Sequence, residues 1–146
     1  MIYWFKLVPD QFLILIPSIL IFISIFSYAN LNVMTSDHFY NGFPAIWNIV
    51  VLYFFIFSTS EIANLLILSL LIILKFSPLK CVHPLRVKKF RNISIFFTII
   101  WFLMSTLLIL SIELEIKPIY ELFFMFLWVL SNIYFISISL FKTFKK

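Results

Sequence analysis

Glu61 stands at the midpoint of an apolar run from Ile46 to Leu74 and is the only formally charged residue in it. A carboxylate in a bilayer interior is costly, so such a group faces a bundle interior, pairs with a partner or lines an ion path. Ser58, Glu61 and Asn64 recur at spacings of three, which sets them on one helical face with Phe54 and Leu65 beside them. Two readings follow. In one, Glu61 carries a proton or cation across the membrane. In the other, it is protonated and hydrogen-bonded between helices, or salt-bridged to another subunit. A proton path needs several relay groups and the run supplies one carboxylate, so the contact reading is preferred. Its expected partners are Ser94, Thr98 and Ser105 on one later apolar run and Ser131, Asn132, Tyr134 and Ser139 on the last.

The elements that would position these groups are membrane helices. Of 146 residues, 64% are hydrophobic and 12% charged, with a mean hydropathy of +1.13, which excludes an ordinary soluble domain. Apolar runs long enough for the ~30 Å hydrocarbon core occur at about 11–28, 46–74, 93–112 and 122–141. The expected fold is therefore all-α: a single membrane domain over 1–146 with four transmembrane helices. No alternating strand pattern suggests a barrel. The second run is overlong, since 29 residues at 1.5 Å rise make about 43 Å. It must tilt, kink or leave the core, and the Ser58-Thr59-Ser60-Glu61 cluster marks where a bend or a break into two re-entrant halves would fall. Pro17 predicts a kink in the first span, because it cannot donate to the Leu13 carbonyl. The start lacks a basic region and a small-residue cleavage site, so the first span is expected to stay.

Charge sets the expected orientation. The connection 75–91 holds Lys75, Lys80, Arg86, Lys88, Lys89 and Arg91 without an acid, and the C-terminal tail adds Lys142, Lys145 and Lys146. Both belong on the positive-inside face. The connection with Asp37 and His38, and the one with Glu113, Glu115 and Glu121, are assigned outside, so both termini are expected inside. The basic connection, chiefly Lys80, Arg86, Lys88, Lys89 and Arg91, reads as a topology signal and a contact for anionic lipid, with no role in nucleic-acid binding.

Catalytic constellations are otherwise missing. His38 and His83 fall on opposite expected faces, so no shared metal or cofactor is foreseen, and Cys81 is the only cysteine. No phosphate-cradling glycine loop or nucleophile elbow occurs. With 20 Phe and one Gly, close helix contacts must use Ser, Thr and Ala. That composition is also what AT-rich coding produces, as in organelle genomes and some bacteria.

The stretch Glu113-Leu114-Glu115-Ile116-Lys117-Pro118-Ile119-Tyr120-Glu121-Leu122 resembles a segment of the antiporter-like subunit 2 of respiratory complex I, with Glu113, Leu114, Pro118, Tyr120 and Leu122 matching. Leu7-Val8-Pro9-Asp10-Gln11-Phe12 and Asp37-His38-Phe39 with Phe43 resemble earlier segments of that family in the same order. The resemblance implies a proton-linked role for Glu113. Size and expected topology are also similar to those of immunity proteins against pore-forming colicins. The leading expectation is a non-catalytic membrane subunit of a respiratory-type complex, in a mitochondrial or bacterial inner membrane, contacting other integral membrane subunits. The alternatives are an immunity protein that binds a membrane-inserted toxin, and a small proton-coupled transporter using Glu61.

Overall fold

The structure is a computed structural model and describes residues 1–30, 33–114 and 118–144. The described residues are all-helical apart from two three-residue strands, with 67% of them in helix. In order the elements are α1 (Leu15–Ala29), preceded by a single 3-10 turn at Asp10–Phe12, β1 (Phe39–Asn41), α2 (Trp47–Ile56), α3 (Glu61–Lys75), β2 (Lys80–Val82), α4 (Arg91–Glu113) and α5 (Pro118–Phe144). Among the described residues, three stretches are long and apolar enough to cross a membrane: Asp10–Ala29, Arg91–Ile112 and Pro118–Phe144. The chain divides into two compact units, Met1–Met34 with Tyr40–Leu79, and Thr35–Phe39 with Lys80–Lys146.

In the first unit, the expected second span is not one helix. It is α2 and α3, separated by a turn at 57–60. The turn has a definite cause. Ser58 lies in the left-handed region (φ 45°), the Ser58 N–H donates to the Phe55 carbonyl, and the Thr59 N–H donates to the Phe54 carbonyl. This is the paired 5→2 and 6→1 closure of a Schellman cap, with serine in the position glycine usually takes. Ser60 then caps α3, its Oγ accepting from the Ala63 N–H at 3.4 Å. At the opposite ends of the two helices, the Phe43 N–H donates to the Leu74 carbonyl and the Gly42 N–H to the Leu79 carbonyl. The start of α2 and the end of α3 therefore lie side by side, and the pair is a helical hairpin.

Gly42, the chain's one glycine, makes that closure possible. Its φ is +77°, and a Cβ there would stand 1.9 Å from the Lys75 carbonyl oxygen. Neither the dihedral nor the approach tolerates a side chain. The core of this unit gathers Ile2 and Val8, Ile16 and Leu20 of α1, Val50, Val51 and Phe54 of α2, and Leu68 of α3. On α1 the buried positions Ile16, Leu20, Ile23 and Ser27 follow the four-three-four spacing of one face. Pro17 is the third residue of α1 rather than a mid-helix residue. First-turn N–H groups have no partner within a helix, so the expected mid-helix kink has no cause.

In the second unit α4 packs along α5. Small side chains allow the approach: Ser94, Ser105 and Ser111 of α4 and Ser131 of α5 are all buried. Trp128 Nε1 donates to Ser105 Oγ at 2.9 Å, and Ser94 Oγ pairs with the Tyr134 hydroxyl at 2.9 Å. The Tyr134 ring stacks on Phe97 with centroids 4.2 Å apart. Near one end of α5, Phe39, Val82, Val87 and Ile138 form a small core.

Candidate functional site

The chemistry-bearing side chains of the second unit converge at the C-terminal end of α5. The segment Thr35–Phe39 folds back on itself: the Thr35 N–H donates to the Phe39 carbonyl at 2.8 Å, and the Phe39 N–H donates to Thr35 Oγ1 at 2.9 Å. His38 takes φ +67° to close the loop. Thr35 Oγ1 also donates to Asp37 Oδ1 at 2.8 Å, which fixes the carboxylate. Lys142 from the last turn of α5 meets Asp37 Oδ2 at 2.7 Å, and the same ammonium stands over the buried Phe39 ring, 5.6 Å from its centroid. The hydrogen bond from Lys142, reinforced by that from Thr35, holds the Asp37 carboxyl below its usual range. Asp37 is therefore a carboxylate anion held in place by these bonds.

α5 also anchors β2. Ser139 Oγ accepts from the Val82 N–H at 3.0 Å and Thr143 Oγ1 from the Lys80 N–H at 2.8 Å. Each hydroxyl in turn donates to the carbonyl one turn back, so the strand hangs on two satisfied side chains. His83 follows directly. Burial lowers its pKa below the usual value, and the positive charge of Arg86, with His38 behind it, acts the same way. Two imidazoles expected on opposite faces of the membrane are thus electrostatic neighbours. Asp37 and Lys142, likewise expected on opposite faces, touch. The physical reason is that acidic residues say little about sidedness, so Asp37 was no ground for placing its connection outside. Among the described residues, no group of three or more His, Cys, Asp or Glu gathers to hold a metal.

The residues singled out in the sequence lie elsewhere or apart. Glu61 is the first residue of α3 and exposed, where a carboxylate complements the positive end of the helix dipole. Ser58 is in the turn and exposed, while Asn64 is buried, so the three do not form one helical stripe. Asn64 instead stitches the unit together: Nδ2 donates to the Leu7 carbonyl at 2.9 Å, and Oδ1 accepts from Thr59 Oγ1. The expected partners of Glu61 on α4 and α5 satisfy one another or their own helices, as Ser94 with Tyr134 and Asn132 with the Trp128 carbonyl do. Glu113 is the last residue of α4. Residues 115–117 of the complex I-like stretch lie outside the described residues. Of the basic connection, Lys80 is in β2, Arg86, Lys88 and Lys89 are exposed, Lys89 stands over the Phe90 ring at 5.7 Å, and Arg91 opens α4. The Thr35-x-Asp37 spacing and the solitary Gly42 were the sequence signals for the turn and the hairpin closure.

The first unit holds a cavity of about 620 Å³ along α1, walled by Ile21, Ile25 and Val51, with Ser24, Tyr28 and Asn48 also facing it. Trp47 Nε1 donates to Ser24 Oγ at 3.0 Å on its wall.

No family model and no solved structure matches the chain. Curated proteins do. It is similar to the phosphatidylcholine synthase of Pseudomonas aeruginosa, 30% identical over 142 residues, which covers 97% of this chain and 58% of that protein. It is 39% identical over 80 residues to the phosphatidylcholine synthase of Legionella bozemanae, covering 55% of this chain and 37% of the relative. It is 36% identical over 77 residues to that of Borreliella burgdorferi, covering 53% and 33%. The chain thus spans between a third and three-fifths of these relatives. These similarities overturn the resemblance to complex I and, with it, the expectation of a non-catalytic respiratory subunit, of an immunity protein and of a mitochondrial membrane. The relatives are bacterial and are named for a synthetic activity, and several share that name.

Proposed function

We propose that this chain is a membrane-embedded part of a bacterial enzyme that makes phosphatidylcholine. One observation carries the reading: the similarity to a phosphatidylcholine synthase runs over 97% of the chain rather than over one apolar segment. Apolar composition alone makes short stretches of membrane proteins alike, but not nearly the whole chain in register. The structure is compatible with a lipid product. Spans with broad apolar faces give acyl chains access from the bilayer, and a charged cluster at the end of α5 offers groups for a zwitterionic headgroup. The basic residues Arg86, Lys88 and Lys89 suit the phosphate side of that headgroup. The test is to produce the chain in host cells that make no phosphatidylcholine and to analyse their lipids by mass spectrometry. Phosphatidylcholine in those cells, and none in cells with an empty vector, is expected.

We also infer a membrane topology. A hairpin of α2 and α3 that returns to the face it left adds no net crossing, and α1, α4 and α5 then give three. Full crossings by both hairpin helices would give five. Either number is odd and favours termini on opposite faces, in place of four spans with both termini inside. The positive connection and Lys142 favour the inside for the C-terminus, with Asp37 on the same face.

A further inference from the structure

The Asp37–Lys142–Phe39 cluster holds a cation in an unusual way for a surface ion pair. The ammonium has a carboxylate oxygen at 2.7 Å on one side and the face of an aromatic ring, 5.6 Å to the centroid, on another. The ring and the carboxylate belong to the same five-residue turn, which Thr35 clamps at both ends through backbone and side chain. Phe39 is 3% exposed and packed against Val82, Val87 and Ile138. Lys142, by contrast, is a long side chain in the last turn of α5, and both partners of the ion pair keep more than a third of their side-chain surface in contact with solvent. The fixed parts are the anion and the ring. The movable part is the cation.

A ring face together with a carboxylate is the chemistry that selects quaternary ammonium groups. Such a cation has no N–H to donate, so it gains little from hydrogen-bonding sites and much from a polarisable face and an uncompensated negative charge. Resting on the reading of this chain as part of a phosphatidylcholine-forming enzyme, we propose that Asp37 and Phe39 are the seat of the choline trimethylammonium, and that Lys142 fills this seat when choline is absent. An exposed lysine–carboxylate pair is weak, which permits exchange. Exchange also restores the charge balance, because the arriving cation replaces the departing one beside Asp37. A primary ammonium such as that of ethanolamine would compete with Lys142 on equal terms and gain nothing further from the ring, so the seat distinguishes choline from ethanolamine.

The test is saturation-transfer NMR on the purified chain in a maltoside detergent, which carries no choline, with choline chloride as one probe and a short-chain phosphatidylcholine as the other. Saturation of the N-methyl signal, not displaced by equal ethanolamine, is expected for at least one probe. Choline chloride binding identifies the seat with a free choline site, and binding of the short-chain lipid alone identifies it with a lipid headgroup site. Lys142→Met should strengthen binding and Asp37→Asn should weaken it by about tenfold, the scale of losing one close charge contact. Both positions are partly exposed, so the variants are expected to fold, and unchanged elution on size exclusion checks this. Absence of saturation with both probes, or equal binding by wild type and Asp37→Asn, would overturn the seat. Phosphatidylcholine formation in cells is read separately, so a chain that makes the lipid without binding either probe through Asp37 refutes the seat alone, and one that binds choline but makes no lipid refutes the synthase reading alone.

Discussion

A methyl group on Gly42 would meet the Lys75 carbonyl oxygen at 1.9 Å, on a backbone at φ +77°. Gly42→Ala should therefore destabilise the first unit by at least about 2 kcal/mol, adding steric conflict to the left-handed dihedral cost. A lowered melting temperature in detergent would register it. Ser58 presents the opposite case: it is exposed and adopts φ 45° where glycine is free to go. Ser58→Gly should stabilise by about 0.5–1 kcal/mol, visible as a raised melting temperature. His83 gives a pH prediction. Its folded pKa is lowered from 6.5 by burial and by Arg86, so at pH between the folded and unfolded values the unfolded chain binds the extra proton. Stability should be full above 6.5, fall as pH drops through 6.5 toward the folded value, and level off below it. Thermal melts across that range should show a slope that flattens in His83→Gln. At this scale the sequence pointed to Glu61 because charge in an apolar run is conspicuous. The pair that matters in the second unit, Asp37 with Lys142, is separated by 105 positions and no local pattern links them.

Helices α1, α4 and α5 were legible because long apolar runs have few alternatives, and their observed bounds differ from the expected ones by a few residues at each end. Pro118 illustrates the differences: it opens α5 at a first-turn position suited to a residue without an N–H, four residues before the apolar run itself begins. The hairpin was harder to read. Its turn contains no glycine or proline, and the Schellman closure at Ser58 depends on a dihedral that the sequence does not announce. At 10 and 15 residues, about 15 and 22 Å, α2 and α3 fall short of the usual span, whereas hydropathy averaged across the turn merges them into one. The hairpin has a testable consequence. Single cysteines at Asp37 and near the C-terminus, introduced with Cys81→Ser, should react with an impermeant maleimide from the same face of the membrane, and a cysteine near the N-terminus from the other. Labelling of positions 37 and 142 from opposite faces would contradict it.

At the scale of the whole molecule, the chain covers its helices with bulky apolar side chains that stay exposed, such as Phe22 on α1, Phe102 on α4 and Phe126 on α5. In water such faces would aggregate, and in a bilayer they are the surface that meets lipid. Membrane residence could be read from composition alone. Function could not, because the features that favour phosphatidylcholine synthesis are spread over nearly the full chain as similarity to other proteins, not concentrated in a motif. The absence of a recognisable catalytic constellation in one sequence led to the expectation of a non-catalytic subunit, and the relatives named for a synthetic activity reverse it. The most direct measurement is incorporation of isotopically labelled choline into lipid by membranes that contain this chain and no other source of phosphatidylcholine. Labelled phosphatidylcholine above the level in membranes without the chain is expected. Unlabelled lipid in membranes where the chain is present, under conditions in which the Pseudomonas aeruginosa relative yields the labelled product, would contradict the synthase reading.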